Sequence, residues 1–495
     1  MTAYESLEPK LFFHYFAEIA KIPHPSGDLK RISDYLLNEC LRLGAEAWQD
    51  ETLNVVAVRP ASEGFENASP VMLQGHMDMV AEKTVDSDHD FHADPIRLIL
   101  DGDMLHADRT TLGSDDGTAV AMMLALIADK DLKLPRLECI FTTDEETGMD
   151  GAEGLDLSFS KATCMINLDS EDEGVFTVSC AGGATFGGRL PLKREKVSGT
   201  RYDITVKSRV GGHSGTEIHK DRPNTNVVAG QLLSDLVREE KVRFISLNGG
   251  NATNAIPMET TLSVVSDHPI LIGPYEASYR AEYVTTDDNV TFLLSEGMEG
   301  VHEAVTSGSE KDLLFYLTAL PNGALDFNHE IEGLTETSLN LGRMRTTDDL
   351  FTVDALIRSS VFSKQQRVVR KLTAITERAN GEAVIYGCHP GWAYRKDSPL
   401  RDKAVKVWNE MYPAHPAEVV AIHAGLECGI LVAKKPDLDI IAKGAMILDL
   451  EFKIFEDKSY PANWAAHAGC VRVEKGKISK SDLLREIGKT LVANS

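Results

Sequence analysis

The stretch Val71-Met72-Leu73-Gln74-Gly75-His76-Met77-Asp78 sets an apolar run directly before a histidine and an aspartate two residues apart. A short continuous apolar run suits a strand buried on both faces, the strand type of α/β proteins with a largely parallel sheet. The arrangement recurs at Cys139-Ile140-Phe141, followed by Thr142-Thr143-Asp144-Glu145-Glu146-Thr147-Gly148, and at Met165-Ile166-Asn167-Leu168, followed by Asp169. Acids and a histidine gathered at strand ends are what such a sheet offers in the crevice at its carboxyl edge.

Working outward, Leu11, Phe12, Tyr15, Phe16 and Ile19 fall at helical spacing, and Ile32, Tyr35, Leu36, Cys40 and Leu43 mark a second helix ending at Gly44. Strands are expected over 53–58, 71–75, 137–142 and 163–168, with a helix over 118–128 between the second and third. Strands alternating with helices imply βαβ units in a parallel or mixed sheet. After Gly182-Gly183 the texture changes. Segments 202–207 and 260–265 alternate like strands with one wet face, and helices are expected near 224–239 and 361–379. Buried-strand texture returns after His389-Pro390-Gly391-Trp392. The simplest partition is a discontinuous first domain, residues 1–184 with 389–495, carrying an inserted α+β domain at 185–388.

The chemistry follows from the residue types. His76 and Asp78 share one side of an extended chain, so one can bind a metal while the other buttresses the imidazole. Asp115 and Asp116 lie in Thr111-Leu112-Gly113-Ser114-Asp115-Asp116-Gly117, just before the helix; a carboxylate there either caps the helix or bridges two cations. Glu145 and Glu146 repel each other unless a positive charge stands beside them. One can ligate while its neighbour accepts a proton from water. Each pair has an ordinary reading alone, as a polar strand end, a cap or an acidic turn. Together with Asp169 they imply a two-metal centre for hydrolysis.

Other chemistries are excluded. His329-Glu330 has Gly333 where a zinc-binding helix needs its second histidine. Gly488-Lys489-Thr490 has Leu483 where a phosphate loop needs its first glycine. Ser214, in Gly212-His213-Ser214-Gly215, lacks the order of a nucleophile elbow.

The chain has 495 residues, which favours two domains, and a net charge of -25 with no basic cluster, which argues against a nucleic-acid surface. Its seven cysteines include no C-x-x-C pair, a pattern of buried thiols in a reducing compartment. The first residues show no signal peptide and no apolar run reaches membrane-spanning length, so a cytoplasmic protein is expected.

Several of these segments, in order, resemble the M20 metallopeptidases, and within them the bacterial aminoacyl-histidine dipeptidases. The matching stretches are Ile22-Pro23-His24-Pro25-Ser26-Gly27, the His76 and Asp78 segment, Thr111 to Gly117, Asp144 to Gly148 and Asn167-Leu168-Asp169. Further on, Gly211-Gly212-His213-Ser214-Gly215, Asn254-Ala255-Ile256-Pro257 and His423-Ala424-Gly425-Leu426-Glu427-Cys428-Gly429 match as well. The resemblance implies a zinc-peptidase-like mixed sheet flanked by helices, with the inserted domain as a lid and dimerisation element of a homodimer. It implies two Zn²⁺, with Co²⁺ or Mn²⁺ as substitutes. His76, Asp115 and Asp169 would hold one, and Asp115 with Glu146 the other. Asp78 would orient His76, Glu145 would be the general base and later the acid, and His213 would polarise the scissile carbonyl. Small dipeptides with a free amino terminus, Xaa-His among them, are the implied substrates. N-acyl amino acids cleaved by a deacylase, or a peptide-binding descendant without activity, are the rival expectations.

One departure stands out. The family's last zinc histidine lies seven residues after a glycine that follows the Pro436-Asp437-Leu438-Asp439 strand; here Gly444 is that glycine and Glu451 stands at the position. The next histidine is His467, in Ala465-Ala466-His467-Ala468-Gly469. His467 is taken as the ligand, with Glu451 as the substitute, since a carboxylate also binds zinc.

Overall fold

The apolar run around Leu73 forms the strand Val71–His76, and all six of its residues are buried. The computed structural model describes residues 7–443, apart from 103, 171, 173 and 288, together with residues 471–472. Glu451 and His467 lie outside the described residues. The chain divides into two compact units, one of Met1–Val178, Arg395–Val420 and Ile430–Ser495, the other of Ser179–Tyr394 and Ala421–Gly429.

The first unit is built on a mixed sheet. Its strands run in the order Glu46–Gln49, Val55–Arg59, Leu137–Thr142, Val71–His76, Cys164–Asn167, Asp439–Ala442, Val175–Cys180 and Glu418–Ile422. Val71–His76 pairs in parallel with Leu137–Thr142 on one side and Cys164–Asn167 on the other. The register sets His76 beside Thr142 and Gln74 beside both Ile140 and Asn167. Val71–His76 and Leu137–Thr142 therefore finish level, with Cys164–Asn167 ending two residues short of them, so the loops that follow leave the same edge of the sheet.

Helices cover this sheet because their sequences demand it. Ser114–Ala128 carries Ala119, Val120, Met123, Leu124 and Ile127, all essentially inaccessible. A helix apolar on nearly every side has to be buried. It packs against Lys10–Ile19, which contributes Phe13, Phe16 and Ile19. Lys30–Arg42 is amphipathic and lays Ile32, Leu36 and Cys40 against Glu46–Gln49 and Val55–Arg59. Each buried Leu or Ile contributes roughly 1.5–3 kcal/mol over the exposed state. Arg59 is 7% exposed and donates to Leu126 O and to Leu132 O, so its charge satisfies carbonyls at and beyond the helix end.

The second unit is an antiparallel sheet with helices. Its strands run Thr291–Leu294, Arg194–Lys207, Glu259–Ser266, Arg243–Gly249, Thr335–Thr346, Leu350–Ser359, Gly182–Pro191 and Glu382–His389. Met298–Val305 pairs with the first part of Arg194–Lys207. The expected alternation is present: Ile204 and Val206 are fully buried, while Asp203, Thr205 and Lys207 are partly exposed. The helices Thr225–Glu239, Ser307–Ala319 and Phe362–Arg378 supply Leu232, Leu236, Tyr316 and Leu372 to one core with Phe186, Phe244 and Phe351. Asn224 opens the first of them, its side chain accepting from the Asn226 and Val227 amides. Gly182–Pro191, where the sequence texture changes, is a strand. A Cβ at Gly188 would lie 1.8 Å from Tyr316 Oη, so the glycine answers a close approach.

Candidate metal centre

His76 ends its strand buried, 1% exposed, and both ring nitrogens face carboxylates. Nδ1 lies 3.2 Å from Asp78 Oδ1 and 3.0 Å from the Asp78 carbonyl oxygen. Nε2 lies 3.1 Å from Asp115 Oδ1. A proton on Nδ1, held by Asp78, leaves the Nε2 lone pair free for a cation. Burial opposes charge on this ring, but hydrogen bonding to Asp115 and Asp78 outweighs it and holds the His76 pKa well above its ordinary value.

The helix that follows Gly113 starts irregularly. Asp115 and Asp116 have non-helical backbone angles inside its first turn. Asp116 is 1% exposed, and its Oδ2 accepts the His76 backbone N–H at 3.2 Å. Gly75 leaves the room for it, since a Cβ there would lie 2.4 Å from that oxygen. The loop after Leu137–Thr142 brings Glu145 and Glu146 beside Asp78, which accepts the Glu145 N–H on Oδ1 at 3.1 Å and the Glu146 N–H on Oδ2 at 3.3 Å.

These carboxylates crowd one another, Asp78 and Asp116 buried and Asp115, Glu145, Glu146 and Asp169 partly exposed. Burial, with Asp169 next, holds the Asp116 pKa well above the carboxylate range. Burial and then Asp115 push Asp169 up to about 6 and Glu146 up to about 7. Asp78 is the exception: burial would raise it, but His76, Ser26 and the Glu145 amide hold it low. Like charges gathered this closely need a cation to compensate them.

Two sets of donor atoms fit that need. In His76, Asp116 and Asp169, and again in His76, Asp115 and Glu146, the donor atoms lie within 4.8 Å of one another. One imidazole nitrogen with carboxylate oxygens suits zinc and its neighbours among divalent cations. Asp115 thus lies with Glu146 in one set and Asp169 with Asp116 in the other, where the resemblance would have Asp115 meet Asp169 as well. Asp116 enters a set that sequence reasoning had left to Asp115. In sequence the two acids are adjacent and alike; the kinked helix start is what turns both side chains toward His76. Glu145 belongs to neither set.

His213 belongs to the second unit. It sits in the short strand Gly212–His213, paired with Ala255–Ile256, where its Nδ1 accepts the Thr216 N–H at 3.2 Å. Burial, then the Arg358 charge, lowers its pKa. Arg358 Nη2 lies 3.4 Å from His213 Nε2. Sequence reasoning did not reach Arg358, a 7% exposed residue of Leu350–Ser359 whose Nε has no hydrogen-bond partner. Nearby, His423 is pushed down to about 3 by burial and by Arg358, and its Nε2 lies 2.7 Å from Ser338 Oγ.

No family model matches the chain. Over 455 residues, 90% of this chain and 93% of the relative, it is 34% identical to the cytosol non-specific dipeptidase of Escherichia coli (strain K12). Its structure superposes on the aminoacylhistidine dipeptidase of Vibrio alginolyticus with a TM-score of 0.87 at 31% identity, covering 99% of this chain and 98% of that one. The aminopeptidase PepT of Bacillus cereus shares the fold, with a TM-score of 0.59 at 15% identity and coverage of 98% and 99%. With this identity extending over nearly the full length of both chains, and donor sets at the carboxyl edge of a mixed sheet, the chain belongs to the M20 family of metallopeptidases, alongside the aminoacyl-histidine dipeptidases.

Proposed function

We propose that this protein is a cytoplasmic dipeptidase holding two Zn²⁺ and cleaving dipeptides with a free amino terminus, Xaa-His among them. The observation that carries the reading is the gathering of Asp115, Asp116, Glu146 and Asp169 around His76, whose one free nitrogen would serve one cation and leave carboxylates for the other. Cations bound there supply Lewis acidity toward a carbonyl oxygen and make water a stronger acid. The protein's own groups do the rest. Asp78 holds the His76 ring in its orientation. Glu145, a member of neither donor set, takes the proton of the attacking water and delivers it to the leaving amine. His467, or Glu451 in its place, completes the second set.

The second unit supplies recognition and assembly. His213 is the group proposed to polarise the scissile carbonyl. The edge strand Met298–Val305 exposes Met298 and Val301, at 60% and 65%, which supports this unit as the homodimer contact. Among the described residues no helix is long and apolar enough to cross a membrane.

The test is metal content per chain together with hydrolysis of a free Xaa-His dipeptide and its N-acetyl form. Two zincs and cleavage of the free dipeptide alone are the expected result. Cleavage of the acetylated form would favour a deacylase. No metal and no turnover after added Zn²⁺, Co²⁺ or Mn²⁺ would leave a peptide-binding protein.

A further inference from the structure

The motif Ile22-Pro23-His24-Pro25-Ser26-Gly27 contributes to neither donor set, yet it is laced to the residues that hold them. Pro25 bridges in parallel to Met79, and the Ser26 N–H donates to Met79 O at 3.2 Å. Ser26 Oγ donates to Asp78 Oδ2 at 2.8 Å, with Met79 O a longer second acceptor at 3.4 Å. The Gly27 N–H donates to Asp144 Oδ1 at 2.7 Å. Gly27 has φ +82°, and a Cβ added to it would meet nothing within 4 Å, so glycine is required there by backbone conformation and not by crowding.

Asp78 is consequently held on both oxygens. Oδ1 faces His76 Nδ1 and accepts the Glu145 amide, while Oδ2 accepts the Ser26 hydroxyl and the Glu146 amide. With 1% of its surface exposed, Asp78 has little water to replace a lost partner. A carboxylate short of one donor on Oδ2 rotates to share its remaining donors, and rotation turns Oδ1 away from the imidazole. On the same loop, Gly27 steadies Asp144, which takes the left-handed φ of 53° directly before Glu145.

We propose that Ser26 is a positioning residue of the hydrolytic centre, its hydroxyl fixing the Asp78 carboxylate so that one oxygen stays aimed at His76 and both stay bonded to the Glu145–Glu146 turn. This rests on the hydrolytic reading above. The residue is fifty-two positions from Asp78 in sequence and belongs to neither donor set, so its hydroxyl acts on the centre through Asp78.

The experiment compares the full-length wild type with Ser26→Ala and Ser26→Thr. Co²⁺ is titrated into metal-free protein and followed by its visible absorption, and kcat and KM are measured on a free dipeptide. Ser26→Ala is expected to bind Co²⁺ about 10-fold or more weakly, with a changed visible spectrum. Its kcat should fall by about the same factor at a KM within about twofold, and Ser26→Thr, which keeps the hydroxyl, should recover most of both. Unchanged Co²⁺ affinity and kcat in Ser26→Ala, or a loss that Ser26→Thr does not recover, would overturn the proposal. So would loss of folded protein in Ser26→Ala, which would assign the hydroxyl to the fold. A wild type that neither binds Co²⁺ nor cleaves dipeptides sinks the hydrolytic reading itself, and with it the role of Ser26.

Discussion

Asn167 Nδ2 donates to Gln74 Oε1 at 2.7 Å across two parallel strands, and both residues are fully buried. Gln74 Nε2 in turn donates to Thr142 Oγ1 at 3.0 Å, so a polar chain crosses three strands just below the donor sets. In so dry a place a polar group that loses its partner keeps its full desolvation penalty. Gln74→Leu removes the middle of the chain and is expected to destabilise the protein by about 1–3 kcal/mol in urea unfolding. A change near zero would mean that the strand ends are kept in register by their backbone pairing alone.

Glu145→Gln separates proton transfer from metal binding. Glu145 lies outside both donor sets. The variant should keep its metal content while kcat falls by roughly 10²–10⁴-fold. Glu146→Gln should lose metal. Equal metal loss in the two variants would remove Glu145 from the role of base.

Gly75→Ala tests the role of Asp116. The added methyl would lie 2.4 Å from Asp116 Oδ2 and 2.5 Å from Ala119 Cβ, too close for either to stay. Weaker binding of metal, read by calorimetric titration, is expected along with a loss of stability of about 1–3 kcal/mol. Unaltered metal affinity would place Asp116 outside the centre.

Acid should weaken the second unit through His423. Burial and the neighbouring Arg358, His213 and His219 charges hold its pKa near 3, against an ordinary 6.5. Below 6.5 the unfolded chain takes up a proton that the native ring refuses. The stability is therefore fully present above about 6.5 and is lost as pH falls toward 3, at up to about 1.4 kcal/mol for each unit of pH. Urea midpoints between pH 7 and 5 should fall more steeply for the wild type than for His423→Gln. Equal slopes would show that His423 titrates freely in the folded protein.

The sequence announced the parallel strands because Val71-Met72-Leu73 and Cys139-Ile140-Phe141 are buried on both faces and leave no polar interruption to misread. It announced His76, Asp115, Glu146 and Asp169 because each sits just past such a run or just before the helix packed on it. Asp116 was seen beside Asp115 but not separated from it, because adjacent acids before a helix look alike until the backbone kink is seen. Arg358 escaped because it lies in an alternating strand where an arginine is ordinarily solvated. Thr335–Thr346, with the polar beginning Thr335-Glu336-Thr337-Ser338, gave little sign of being a buried strand, for its burial comes from neighbours far along the chain. Ser26 stood out only as a letter in a motif; its work depends on Asp78, which folding brings to it.

The place of Asp439–Ala442 in the first sheet has a consequence for synthesis on the ribosome. This strand lies inside the order, between Cys164–Asn167 and Val175–Cys180, and not at an edge. A nascent chain that has already made Cys164–Asn167 waits through about 270 further residues before the pairing segment is translated. At ordinary elongation speeds that is on the order of tens of seconds. Throughout that interval a strand edge meant for the interior stands open beside apolar neighbours, a ready template for another chain. The sheet ending at His389 can close before then. The unit that begins translation first is thus the one that finishes folding last, and it is the one whose yield chaperones should most affect.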